Sequence, residues 1–231
     1  MIMLALDTST SAITVAVHDG EQVLAERSVL DARAHTEHLA PLVQDALESA
    51  GLRPADLTDI AVGVGPGPFT GLRVGLVTAR VLAYTVGVPC HGVVSLDALA
   101  EEAVRSGSVD GTAEFAVATD ARRKEVYWSR YTVTAGHPAR LSDPAVLHPA
   151  DVADGMRGLA TAGRGPLLYP DVFASPVTPL DVSAVALAEV ALRQIAHGVE
   201  VGVDALYLRR PDAQPTSSSK STLTEVRGDR R

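Results

Sequence analysis

Apolar residues along this chain come in short runs whose period alternates between two and near four, so strands and helices alternate. Ile2 to Leu6 is an unbroken apolar run closed by Asp7, which predicts a strand covered on both faces. Ile13, Val15 and Val17 then alternate with Thr14, Ala16 and His18, the period of a second strand. Asp19-Gly20 is a hairpin turn signal, since both residues tolerate positive φ, and Val23 to Leu30 supplies a third strand. Leu39, Leu42, Val43, Ala46, Leu47 and Ala50 share one helical face. Pro41 has no N–H to donate, so it must stand in the first turn of that helix or kink it. Gly51 and Pro54 close it. A strand from Ile60 to Val64 leads into the glycine-rich loop Gly65 to Gly71, and a helix follows to Val86 with Gly87 as its stop. Val88 to Val94 is another strand, after which Ser95 is expected to cap a helix carrying Leu96, Leu99 and Val104.

Ser106-Gly107-Ser108-Val109-Asp110-Gly111 has the composition of a boundary, and beyond it the opening pattern recurs. Phe115 to Thr119 is apolar and ends in Asp120, an alternating strand runs from Val126 to Val133, and a third from about Arg140 to Leu147. Helices are expected from near Pro149 and from Ser183 to about His197, with a strand near Leu159 to Ala162 between them. The expected division is an N-terminal lobe over 1–106 and a C-terminal lobe over 112–210. Residues 211–231, rich in Ser, Thr and Pro, cannot bury enough apolar area to offset chain entropy and are expected to be a disordered tail.

Charge and composition narrow the function classes. A formal net charge of -8 argues against a stand-alone nucleic-acid binder, so if RNA is involved another component must neutralise most of its phosphates. Cys90 is the single cysteine, which excludes an intrachain disulfide. The first residues lack a basic segment, a long apolar run and a cleavage site, and no stretch approaches the roughly 20 apolar residues of a membrane span. The expected compartment is the cytoplasm.

The loop Gly63-Val64-Gly65-Pro66-Gly67-Pro68-Phe69-Thr70-Gly71 invites comparison with phosphate cradles. It lacks the Gly-Lys-Ser/Thr ending of a P-loop, because Leu72 and Arg73 follow Gly71, and its glycine spacing is not that of a dinucleotide fingerprint. A rigid strand-to-helix turn fits better. In the next helix Gly71, Gly75, Ala79 and Ala83 recur every fourth residue as a ridge of small side chains. Leu72, Leu76, Val77, Val81 and Leu82 make the remainder apolar, so the helix is either covered on both faces within the chain or shared with a partner. Asp7-Thr8-Ser9-Thr10 has the chemistry of a Mg²⁺-phosphate contact, although a self-capping turn accounts for it more simply, and Asp120 to Glu125, at the equivalent place in the second lobe, reads as a solvated turn. His35 and His38 complete no zinc motif with Cys90 or His91, and no Gly-x-Ser-x-Gly elbow is present, so no metal ligand or catalytic residue is assigned.

Leu4 to Thr10, Gly65-Pro-Gly-Pro-Phe-Thr-Gly-Leu-Arg-Val-Gly75, Val94 to Ala100, Asp120-Ala-Arg-Arg-Lys-Glu-Val-Tyr-Trp128 and Tyr207-Leu-Arg-Arg210 together closely resemble the TsaB family, also called YeaZ. Pro68 stands where that family usually has Ser. The resemblance implies an α/β fold of the actin/sugar-kinase/Hsp70 type, two related lobes each with a mixed sheet and flanking helices. It implies a non-catalytic partner subunit in the synthesis of N6-threonylcarbamoyladenosine at adenosine 37 of tRNAs reading ANN codons. In that system a TsaD subunit transfers the threonylcarbamoyl group, a TsaE ATPase joins the assembly, ATP and Mg²⁺ serve the complex, and tRNA is its substrate. No cofactor is assigned to this chain. The implied pairing surface, also used for homodimers, comprises Leu39, Leu42, Val43 and Ala46 of the first helix with Leu72, Gly75, Leu76, Ala79, Arg80 and Ala83 of the second. Asp7, Thr8 and Ser9 are the candidates for a vestigial nucleotide site. The alternatives are an ATP-dependent phosphotransferase of the same fold and, disfavoured for want of a metal or nucleophile, an M22-like peptidase.

Overall fold

Two sheets are built to one plan. The computed structural model describes residues 1–31, 34–111, 114–156 and 158–209. In the first sheet β1 (Met3–Asp7), β2 (Ala12–His18) and β3 (Val23–Leu30) pair antiparallel, and β4 (Asp59–Gly65) and β5 (Cys90–Val94) extend it parallel to β1, in the order β3-β2-β1-β4-β5. In the second, β6 (Glu114–Asp120), β7 (Val126–Thr134) and β8 (His137–Arg140) pair antiparallel, and β10 (Ala160–Ala162) and β11 (Ser175–Val177) add parallel to β6. β9 (Ala145–Leu147) pairs with β7 beside β8. This is the actin/sugar-kinase/Hsp70-like arrangement. The repeat that was only a pattern in the sequence is a repeat of topology, with β6 standing where β1 stands.

Every residue of β1, β2 and β4 is buried, so both faces of the first sheet are covered. α1 (His35–Ser49) and α2 (Phe69–Val86) pack beside each other on these strands. α6 (Ala184–Ala196), although late in the chain, packs on β1, β2, β4 and β5 as well as on α3 (Ser95–Arg105). α3 touches strands of both sheets and carries the polar ties between them. Tyr131 donates its hydroxyl to Asp97 at 2.8 Å, and Arg193 donates to the buried Glu101 carboxylate at 2.6 Å. Two short helices, α4 (Pro149–Met156) and α5 (Gly165–Leu168), complete the second half. Among the described residues no helix is long and apolar enough to cross a membrane.

Four local expectations are corrected. α1 begins at His35, so Pro41 stands in its second turn with its ring exposed, and the helix runs through it. The strand expected over Arg140 to Leu147 is split into β8 and β9, because Pro144 has no ladder donor and Ser142 instead bonds across to Ser129 and Arg130. Ser95 is the first residue of α3 with Val94 as its cap, and its hydroxyl is committed elsewhere, as described below. The small-residue ridge of α2 faces inward: Gly71, Gly75, Ala79 and Ala83 are all buried, with Ala79 at 0% exposure. A Cβ on Gly71 would meet the Thr8 carbonyl, and one on Gly75 the Thr8 hydroxyl, so the ridge lets the helix lie close on its own sheet. The expected tail, 211–231, lies outside the described residues.

That packing predicts the effect of filling the ridge. Ala79→Leu should destabilise the isolated chain by about 1–3 kcal/mol, read as a lowered Tm, because it overpacks a closed core. An unchanged Tm would contradict the inward orientation.

Candidate functional site

At the C-terminal end of β1 the chain turns through Thr8 and Ser9, and four elements converge on this turn. Asp7 is 0% exposed. Its Oδ1 accepts from the Ser9 amide and the Ser9 hydroxyl, both at 2.7 Å, and its Oδ2 accepts from the Ser95 hydroxyl at 2.6 Å. Ser95 Oγ in turn accepts from the Gly65 amide at 3.1 Å. β1, β4 and α3 are thus joined through one carboxylate. Any Cβ on Gly63 would overlap that carboxylate, which is the physical reason for glycine there. Burial pushes the Asp7 carboxyl above its ordinary value of 3.8, against the lowering effect of the hydrogen bonds from Ser95 and Ser9.

Thr8 makes the second join. Its hydroxyl donates to the Gly71 carbonyl at 2.7 Å and accepts from the Gly75 amide at 3.0 Å. Those two groups are an i, i+4 pair of α2, so a side chain from β1's turn is inserted into the helix's own ladder. The glycine-rich loop presses on the same turn, since a Cβ on Gly67 would strike the Ser9 carbonyl. Gly67 and Gly71 therefore serve close approach of backbone to backbone, and Gly75 makes room for the Thr8 hydroxyl.

Between the two sheets lies a cavity of about 110 Å³. Thr8 to Ser11, His35 and Thr70 line one wall; Thr119, Asp120, Arg122, Arg164 and Asp181 line the other. Drug-sized and cofactor sites usually enclose about 300–1,000 Å³, so this space is small for a nucleotide. Its charges are paired across short distances. Asp181 receives Arg164 Nη2 at 2.6 Å and the Ser11 amide at 3.2 Å, which ties the second half of the chain to the turn after β1. Asp120 receives the Arg122 amide at 2.7 Å and its guanidinium at 3.0 Å. Gly163 and Gly165 face Ala118 so closely that a Cβ on either would overlap it, and these glycines serve packing on β6. His35 is buried with Nε2 3.3 Å from the Thr10 carbonyl, while His38 faces Asp31 at 3.6 Å, so the two rings serve different partners. Among the described residues no group of three His, Cys, Asp or Glu is arranged to hold a metal.

The residues expected at a vestigial nucleotide site are therefore divided: Thr8 and Ser9 line the cavity, and Asp7 sits behind them in the core. The residues expected at a pairing surface are divided too. Leu39, Val43, Ala46, Leu72, Gly75, Leu76, Ala79 and Ala83 are buried in this chain, Leu42 is half-buried, and Arg80 is exposed beside Asp204. What α2 presents outward is a different stripe: Val77 at 59%, Val81 at 60% and Tyr84 at 91% exposure. With Ala40 and Val43 of α1, Val77 and Val81 border a groove of about 420 Å³ between the helices. Tyr84 was not singled out in the sequence, yet the spacing of 77, 81 and 84 places all three on one helical face.

A family model described as TsaD, tRNA N6-adenosine threonylcarbamoyltransferase, matches residues 25–227. An uncharacterized protein of Mycobacterium leprae is 40% identical over 241 residues, covering 99% of this chain; the chain spans 62% of that protein's length. The tRNA threonylcarbamoyladenosine biosynthesis protein TsaB of Escherichia coli is 35% identical over 181 residues, covering 74% of this chain and 75% of that protein. The solved structure of YeaZ from Pseudomonas aeruginosa superposes with a TM-score of 0.79 at 31% identity, covering 90% of this chain and 99% of that one.

Two measurements follow from the site. Below pH 3.8 Asp7 is protonated in both folded and unfolded chains; as pH rises, the unfolded state ionises first and gains stability. The unfolding free energy of the native chain minus that of Asp7→Asn should therefore fall between pH 3.8 and the raised folded value, and a rise over that window would contradict the burial account. Calorimetry with Mg-ATP on the isolated chain should find no binding tighter than about 1 mM, whereas a micromolar Kd would favour the phosphotransferase alternative.

Proposed function

Because the chain belongs to the TsaB (YeaZ) family, we propose that it is a partner subunit in tRNA threonylcarbamoyladenosine synthesis, one that binds a TsaD-type threonylcarbamoyltransferase and contributes no reacting group itself. The observation that carries this reading is the outward stripe Val77, Val81 and Tyr84 beside the α1–α2 groove. Three large side chains on one face of a helix, with a half-open groove next to them, are what a helix-on-helix contact requires. Tyr84 suits such a contact, since an aromatic ring brings a large area with few torsions to freeze. The cavity between the sheets supports the second half of the reading, because its carboxylates are already paired and Asp7 is out of reach.

In this account the transferase brings the substrate groups, Mg²⁺ and ATP belong to the assembly with its TsaE-type ATPase, and tRNA enters as the substrate of the whole. The same face would join two copies of this chain when the transferase is absent. The working compartment is the cytoplasm, where tRNA is modified.

Val77→Asp and Val81→Asp test the surface without touching the core. Each should weaken binding to the transferase of the same organism by about 1.5 kcal/mol or more, roughly tenfold in Kd, while Tm stays unchanged. Interferometry with purified partners reads this directly. Undiminished binding by the double variant would overturn the assignment.

A further inference from the structure

The turn between β6 and β7 departs from backbone rules. Arg122, Arg123 and Lys124 are consecutive, exposed and all left-handed, with φ of 60, 54 and 63°. Left-handed residues cost about 1–2 kcal/mol each unless they are glycine or, at times, Asn or Asp, so a turn chosen for stability alone would not carry three long cations. The turn is nonetheless fixed: Ala121 donates to the Glu125 carbonyl at 3.0 Å, Glu125 to the Arg122 carbonyl at 3.0 Å, and Arg122 to Asp120 at 2.7 Å. Glu125 is ion-paired with Arg209, and the Arg122 guanidinium lies 3.0 Å from Asp120, on a chain whose formal net charge is -8.

Its position relates it to the outward face of α2. Tyr127, just after the turn, donates to the Gly67 carbonyl at 3.4 Å, at the start of α2. Arg209 follows Tyr207, whose ring lies 4.7 Å from that of Phe69 and whose hydroxyl accepts from Arg73 at 2.8 Å. Contacts thus run from the β6–β7 turn through Arg209 and Tyr207 to Arg73, on the same helix as Val77 and Val81.

We infer that the β6–β7 turn is an RNA-contact element, with Arg122, Arg123 and Lys124 meeting phosphates of the tRNA carried by the docked partner; this rests on the subunit reading above. Phosphate is the favoured ligand because three adjacent cations without an apolar anchor neutralise a charged backbone but make a poor protein hot spot. The chain's overall negative charge keeps the free protein from holding RNA. Contact forms only once the partner brings the phosphates within about 10 Å, inside the range of screening. The turn contributes affinity and not sequence choice.

The test uses the assembled complex of full-length chain and transferase, with fluorescently labelled tRNA titrated over a salt series. Three forms are compared: the native chain, the triple variant Arg122→Gln/Arg123→Gln/Lys124→Gln, and the charge-preserving Arg122→Lys/Arg123→Lys. The triple variant should assemble normally but bind tRNA at least about tenfold more weakly at low salt, with a log–log salt slope shallower by about 2–3. The lysine variant should keep the native slope. An unaltered slope in the triple variant overturns the RNA contact, and so does loss of assembly confined to that variant, which would make the turn a protein contact. Failure of the native chain to assemble overturns the subunit reading instead.

Discussion

A single buried carboxylate sets the geometry on which the molecule depends. Asp7 needs three donors because it is closed off from solvent, and Ser9 and Ser95 supply them only because Gly63 leaves room for its oxygens. With that turn fixed, the Thr8 hydroxyl is placed where it enters the ladder of α2 between Gly71 and Gly75. The rotation of α2 about its axis follows. Its small residues go down onto β1, and Val77, Val81 and Tyr84 are left facing outward. Core chemistry at one end of a strand decides which stripe of a helix two turns away is open to another molecule.

The two sheets repeat a plan, and charged groups in the space between them are paired with one another. Asp7 and Asp120 end equivalent strands, yet one is sealed in the core and the other is held by Arg122 of its own turn. Arg164, Asp181 and the Ser11 amide join the walls across a small cavity. Gly163 and Gly165, which could have approached a nucleotide, approach Ala118. The polar groups of the cleft tie its walls together. A chain arranged in this way fits a subunit whose output is a surface.

Most of the first half was legible in the sequence. β3 and the end of α2 fall where period, Gly87 and the hairpin signal put them, because each is set by local chemistry. The second half was less so: α5 and β11 are four and three residues long, too short to show a period. Ser95 read as a cap because Ser before an apolar helix usually is one, and nothing local reveals a partner 88 positions away. The ridge of α2 was visible, but its direction was not. Small residues allow close approach to any surface, and only the Thr8 insertion, a long-range contact, decides that the surface is the chain's own sheet. Whether Val77 and Val81 face the chain's own core or a partner was open in the sequence for the same reason: an all-apolar helix carries no mark of which side stays open.

On the proposed function, the stripe on α2, and not the cavity between the sheets, meets the transferase. Hydroxyl-radical footprinting reads side-chain exposure residue by residue and tests this without altering either protein. Tyr84 and Val81 should be readily oxidised in the isolated chain and strongly shielded once the transferase is bound, with no change at residues lining the cavity. Tyr84 oxidised equally in both states, or shielding confined to the cavity walls, would contradict the account.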